Sequence, residues 1–228
     1  MKGPSFPRQL AEGEIDFAFL PFLHRASMNE HHEPPVEELP RPLVSAMQLG
    51  PNGFEIWGSQ RESWSRVVNP LVGLIQRRRP SVEDVIITAS LALEARGHML
   101  PPNANEPIYG TAGMSRNPSF RAYVLRCLHS LAVDWSPIAP SAEALASAIS
   151  AAYNGVKHPE REMLDLLDLA LLGRVEIWIV RLCVMTMFEA IPNVVEFAKS
   201  HEGFADALRA FEWNNRFISG RGTFEDRS

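Results

Sequence analysis

The densest concentration of chemically able side chains in this 228-residue chain lies between residues 153 and 161, Tyr-Asn-Gly-Val-Lys-His-Pro-Glu-Arg. A histidine gives or takes a proton near neutral pH. Lysine and arginine hold phosphate oxygens. Asn154, Lys157, His158 and Arg161 therefore read in two ways. They form either a polar corner, in which Asn154 and His158 cap backbone groups, or a site that moves protons at a phosphate-bearing substrate. In both readings Gly155 loosens the end of one helix and Pro159 starts the next.

Other constellations carry less. His24, His31 and His32 lie in a proline-rich stretch beside Glu30 and Glu33. Their spacing is not a zinc spacing and no cysteine is near, so no metal site is expected. Arg77, Arg78 and Arg79 form a basic run at a helix end, where the helix dipole alone favours cations. Contact with an RNA backbone is the other use of such a run. Gly110 and Gly113 follow no strand and precede no Gly-Lys-Ser/Thr, so they make no phosphate loop. Ser115 and Ser119 lack a nucleophile context, and no cofactor is expected.

The elements that must position residues 153–161 are helical. Residues 59–78 place Trp64, Val67, Val68, Leu71, Leu74 and Ile75 at spacings of three, four and seven. Asn69-Pro70 is expected to kink or split that helix. Ser81, with Glu83 and Asp84 behind it, caps a helix reaching about His98. Residues 99–116 read as a loop. Asn117-Pro118 is expected to start a third helix, with Arg121 and Arg126 off its apolar side. Ser141 caps an alanine-rich fourth helix ending near Tyr153. The longest helix is expected over about residues 160–190, and a last amphipathic helix over about residues 204–217, before a Gly-, Arg- and Ser-containing tail. No strand period appears from residue 53 onward. The fold class is therefore all-α, a helical bundle with short connections.

Within the long helix, a rotation of 100° per residue puts Asp165, Asp168 and Glu176 on one stripe and Arg174 and Arg181 on the opposite one. The arginine stripe is solvated, paired inside the bundle, or aimed at a functional groove.

Seven prolines punctuate residues 1–42, so residues 1–52 read as a mostly irregular, Pro-rich extension. The composition suggests a larger partner domain upstream. Residues 53–190 form the bundle and residues 191–228 a helical extension and tail. The net charge of −5 excludes nucleic-acid binding by bulk attraction; only a local basic patch would serve. Cys127 and Cys183 sit in apolar runs and read as buried thiols of a reducing compartment. No apolar stretch near the N-terminus has the length of a leader. The longest uncharged run in the most apolar segment is the seven residues 182–188, far short of the roughly 20 that a bilayer span needs. The cytoplasm is the expected address, with no membrane partner.

The Asn154-x-x-x-His158 spacing, placed before a long apolar helix, resembles the HEPN superfamily. Tyr-Asn-x-x-Lys-His-Pro at residues 153–159, with Val82-Glu-Asp-Val-Ile-Ile and Ala92-Leu-Glu94 upstream, is similar to the HEPN portion of ApeA-like antiphage defence proteins of bacteria. The resemblance covers roughly residues 53–190. It implies a HEPN-like helical bundle and, in many members, a metal-independent endoribonuclease whose paired motifs face each other in a homodimer. It implies His158 as proton-transfer residue and Asn154 as the residue that orients it. RNA, including tRNA, is the implied partner. The family's arginine, five positions before the histidine, is Tyr153 here. A neutral phenol does not replace a fixed cation beside phosphate. Lys157, Arg161, Arg174 and Arg181 are the cations available to complete a substrate-contacting set around Tyr153. Two functions stay open. One is an active homodimeric ribonuclease of an antiphage defence system. The other is a catalytically inactive interaction module working with a separate sensor or effector.

Overall fold

A computed structural model of the chain describes residues 43–77, 80–104, 106 and 118–227. The described part is a helical bundle with one small hairpin, in keeping with the all-α class. The helices are α1 (Ala46–Gln60), α2 (Ser65–Gln76), α3 (Val82–Met99), α4 (Phe120–Leu131), α5 (Ala142–Lys157), α6 (Leu166–Met185), α7 (Val194–Lys199) and α8 (Glu202–Trp213). A 3-10 turn, Thr186–Phe188, follows α6.

The local start signals work as helix physics requires. Ser45 and Gln48 exchange side-chain and backbone bonds in a capping box at the start of α1. Ser81 Oγ accepts from Asp84 N–H at 3.1 Å and starts α3. Ser141 Oγ accepts from Ala144 N–H at 3.3 Å and starts α5. Inside α1 the backbone breaks at Gly50, where φ is +58°, a value glycine adopts without penalty; Pro51 then restarts the helix.

Several boundaries fall elsewhere than the sequence suggests. Pro70 lies within a continuous α2, and the break comes earlier, at residues 61–64. Ser119, not Asn117, caps α4, with its Oγ accepting from Ala122 N–H at 3.3 Å. The long helix starts at Leu166, six residues later than expected, because Asp165 Oδ1 accepts from Asp168 N–H at 2.9 Å and supplies the cap. It ends at Met185 rather than near residue 190. Asn215, at φ +54°, follows α8, which has already ended at Trp213. The chain then forms strands β1 (Arg216–Ile218) and β2 (Phe224–Asp226), paired antiparallel with Phe217 opposite Glu225. These strands lie where the sequence shows no strand period.

At the centre, α3 packs against α2, α4, α5 and α6. Ile86 and Leu93 of α3, Leu128 of α4, Ile149 of α5, and Leu169, Leu172, Ile179 and Leu182 of α6 are fully buried. Phe211 of α8 and Ile218 of β1 belong to the same core. Both thiols are buried and free. Contact with Cys183 and burial push the Cys127 thiol well above its ordinary value.

Polar groups tie the periphery to this core. Arg126 is buried on α4 rather than lying off its apolar side. Its guanidinium donates to both carboxylate oxygens of Glu106, at 2.7 and 2.6 Å, and to the carbonyls of Gly97 and Leu100. Arg216 of β1 grips the carboxylate of Asp168 on α6, its Nε at 2.7 Å, and also reaches Asp226 at 2.9 Å. Ile218 N–H donates to Ile138 O at 2.8 Å and fastens the hairpin beside α5. Among the described residues, no helix is long and apolar enough to cross a membrane.

Candidate functional site

The residues 153–161 do not form a simple corner between two helices. α5 runs through Tyr153, Asn154 and Lys157, and His158 is its C-cap, with its N–H bonded to Asn154 O at 3.0 Å. The chain then turns back over the helix it has just left. A Cβ at Gly155 would lie 2.9 Å from Glu162 O and 3.3 Å from Met163 Cα, so only glycine admits this path. Gly155 serves close approach of backbone to backbone, rather than loosening of the helix end.

Tyr153 is 8 % exposed, and its ring meets that of Phe120 at 4.6 Å between centroids. Its hydroxyl accepts from Lys157 Nζ at 3.3 Å, and the ammonium lies 5.1 Å from the ring centroid. The spacing of four residues on a helix puts the two side chains on one face. A cation therefore stands at the tip of Tyr153.

Asn154 Nδ2 donates back to Ser150 O at 2.8 Å. The link from Asn154 to His158 is the backbone bond, not a side-chain bond to the imidazole. His158 keeps 39 % of its side chain exposed, with Nδ1 3.6 Å from Glu160 Oε1. The Glu160 carboxylate is largely in water, so this pair contributes little stability. Arg161 N–H donates to His158 O at 2.9 Å, and the Arg161 side chain is exposed.

The two arginines of α6 stand in different surroundings. Arg174 is exposed. Arg181 lies 4.2 Å over the ring of Trp178, and burial lowers its pKa to about 10. It is sixteen residues past Asp165, about 24 Å along the axis at 1.5 Å per residue. Arg181 therefore belongs to the layer of Trp178, His201 and Phe204, not to the surroundings of His158. The acid stripe divides: Asp165 is exposed and caps α6, Asp168 is buried and holds Arg216, and Glu176 is fully buried. Glu176 Oε2 accepts from Ser90 Oγ at 3.1 Å, while Oε1 has no partner. Desolvation pushes its carboxyl well above the usual range.

The ion pairs Arg126–Glu106 and Arg216–Asp168 escape sequence reasoning. Their members lie 20 and 48 residues apart, and no local pattern links them. Arg77 of the basic run, the C-cap of α2, pairs at 3.0 Å with Asp84 in the first turn of α3. Arg78, Arg79, His24, His31, His32, Gly110, Gly113 and Ser115 lie outside the described residues. Among the described residues, no three His, Cys, Asp or Glu side chains are grouped to hold a metal ion. Comparison with protein-family models, curated proteins and solved structures finds no match to the chain.

Proposed function

We propose that the C-terminal turn of α5 is an RNA-directed site of a HEPN-like bundle. It would act as a homodimeric, metal-independent endoribonuclease, in the setting of bacterial antiphage defence that the resemblance implies. The observation that carries the reading is the position of Lys157, whose ammonium stands at the tip of Tyr153. The family's arginine is replaced by a phenol, and a cation from the next helical turn occupies its outer end. Lys157 then supplies the fixed positive charge that a phosphodiester in transition demands.

The chemistry requires two proton transfers. The ribose 2′-hydroxyl loses its proton to a base as its oxygen attacks the adjacent phosphorus. The 5′-oxygen leaves and takes up a proton. The products carry a 2′,3′-cyclic phosphate and a 5′-hydroxyl. His158 is half-buried, with part of its ring open to water, so it performs one of these transfers. Lys157 steadies the phosphate oxygens. Asn154 takes the orienting role that the resemblance implies by turning its amide from Ser150 to the His158 ring when substrate binds.

The test is cleavage of a mixed pool of tRNA and single-stranded RNA in EDTA. His158→Ala is expected to lose cleavage while its helical circular dichroism is unchanged. Lys157→Met is expected to lower the rate by about 10² or more. Cleavage that persists in His158→Ala removes this residue from the reaction.

A second reading has its own support. The Asn154 amide is turned to Ser150 and Tyr153 is buried against Phe120, so both side chains fill structural roles. That favours a catalytically inactive interaction module working with a separate effector. The wild-type chain would then leave every RNA in the pool intact.

A further inference from the structure

A cavity of about 200 Å³ opens between α8, Pro137 and the residue that follows β2, Arg227. Ala205, Leu208, Arg209 and Glu212 line one wall. Their spacing of three, four and seven places them on one face of α8. Pro137 and Arg227 supply the other wall. The volume is below the roughly 300–1,000 Å³ that holds a drug-sized ligand, so the cavity suits a smaller molecule.

The lining divides by chemistry. Pro137, Ala205 and Leu208 are apolar; Arg209, Arg227 and Glu212 are charged. Arg209 is matched by Asp206 on the same helix, and its guanidinium lies 5.9 Å from the Trp213 ring centroid. Arg227 has no such acid among the described residues. Its guanidinium donates to Pro137 O and lies 5.9 Å from the Phe217 ring centroid, and its backbone N–H donates to Asn215 O at 3.0 Å. These contacts fix the cation at the cavity without neutralising it, and they leave donors of its fork unused. Glu212 is exposed, and its carboxylate has no ion pair or hydrogen bond among the described residues. A cation and an anion thus line one cavity without pairing with each other.

A molecule that satisfies this lining carries a carboxylate for Arg227, an ammonium for Glu212 and an apolar group for Pro137, Ala205 and Leu208. A simple anion is repelled by Glu212. An uncharged apolar molecule covers both charges and matches neither. A free α-amino acid meets all three demands, since carboxylate, ammonium and side chain leave one carbon. We infer that this cavity binds a zwitterionic α-amino acid with an apolar side chain of about leucine size. The site shares no residue with the turn at residues 153–161, so its occupancy is independent of RNA cleavage.

The experiment is isothermal titration of L-leucine into the full chain at neutral pH and low salt, where both charges are present and little screened. Saturable binding with Kd below about 1 mM is expected. N-acetyl-L-leucine lacks the ammonium and L-leucinamide lacks the carboxylate, and each should bind at least about tenfold more weakly. Glycine keeps both charges without the apolar group and should also lose about tenfold or more. Glu212→Gln and Arg227→Gln should each weaken L-leucine at least about tenfold. Glu62→Gln, exposed between α1 and α2, should leave it unchanged. The Glu212 side chain bonds to nothing among the described residues, so Glu212→Gln should keep the wild-type circular dichroism. That variant carries the test should Arg227→Gln loosen the hairpin.

Absence of saturable L-leucine binding up to about 10 mM overturns the inference. So does N-acetyl-L-leucine or L-leucinamide binding as tightly as L-leucine, because Glu212 or Arg227 then recognises nothing. L-leucine binding that Glu212→Gln leaves unchanged overturns it as well, by placing the amino acid elsewhere on the chain.

Discussion

Replacing Glu176 by Gln removes one ionisable proton from the middle of the bundle and changes almost nothing in shape. Glu176 is fully buried between α6 and α3, with the Ser90 hydroxyl as the partner of one oxygen and none for the other. Burial raises its folded pKa well above the ordinary 4.5. The unfolded chain ionises near 4.5, so between that pH and the folded pKa the folded state holds a proton that the unfolded state has released. Stability then falls as pH rises, by about 1.4 kcal/mol per pH unit, and levels off above the folded pKa. Glutamine has no such proton. At pH 4.5 or below, the two proteins should differ by no more than about 1 kcal/mol, since the amide still pairs with Ser90. Above it, the variant gains on the wild type. For a chain of this size 1 kcal/mol moves Tm by about 2–4 °C, so the gap should widen by about 3–6 °C per pH unit through the window. The assay is differential scanning calorimetry of both proteins from pH 4.5 to 7.5. Every other titrating group is common to the two, so their difference isolates residue 176. A gap that stays constant across that range would refute the argument, because it would mean that Glu176 has the same pKa folded and unfolded.

Three further outcomes follow from the packing. Arg216→Ala strands the buried Asp168 carboxylate and should cost about 3–5 kcal/mol in urea unfolding, with Asp168→Asn in the same chain restoring part of it. Arg126→Ala leaves Glu106 as an unpaired buried acid, and the Arg126 guanidinium holds Glu106 below the usual carboxylate range. Its stabilising effect is therefore present above about pH 4.5 and is lost as pH falls through the lower folded value. The deficit of the variant, as read by Tm, should be larger at pH 7 than in strong acid, where only the bonds of Arg126 to Gly97 O and Leu100 O and its packing are lost. Gly155→Ala forces Glu162 O away from a Cβ 2.9 Å distant and should cost about 1–3 kcal/mol. The same shift should disturb His158 and lower any RNA cleavage, whereas Ala151→Ser, on the exposed side of α5, should leave both unchanged.

The parts of the fold legible in the sequence are those set by neighbours three or four positions apart. The serine caps at residues 81 and 141, the apolar spacing of α3, and the all-α class all follow from that range. The clustering of Asn154, Lys157 and His158 is legible for the same reason, being one helical turn. The cation at the tip of Tyr153 is readable too, since positions four apart share a face, although its geometry needs the helix to run on to Lys157. The start of α6 was misplaced, because Pro159 reads as a helix N-terminus whereas Asp165 supplies the cap. Between them the backbone passes over Gly155, a contact made only once α5 exists.

By itself, then, the amino-acid sequence determined the helical class, the serine caps at residues 81 and 141 and the place where chemistry concentrates, since each rests on local hydrogen bonds and periodicity. Tertiary structure alone decided that residues 216–226 pair as strands, that Arg126 turns inward to Glu106, and that Asp168 binds Arg216 rather than water. It alone parted Arg181 from His158 and left Met163, Leu166 and Leu167 exposed. Each of these depends on which groups meet across tens of residues. A residue's own neighbours in the chain carry no record of that, because the energy of a buried charge or an exposed leucine is set by what the rest of the fold places beside it.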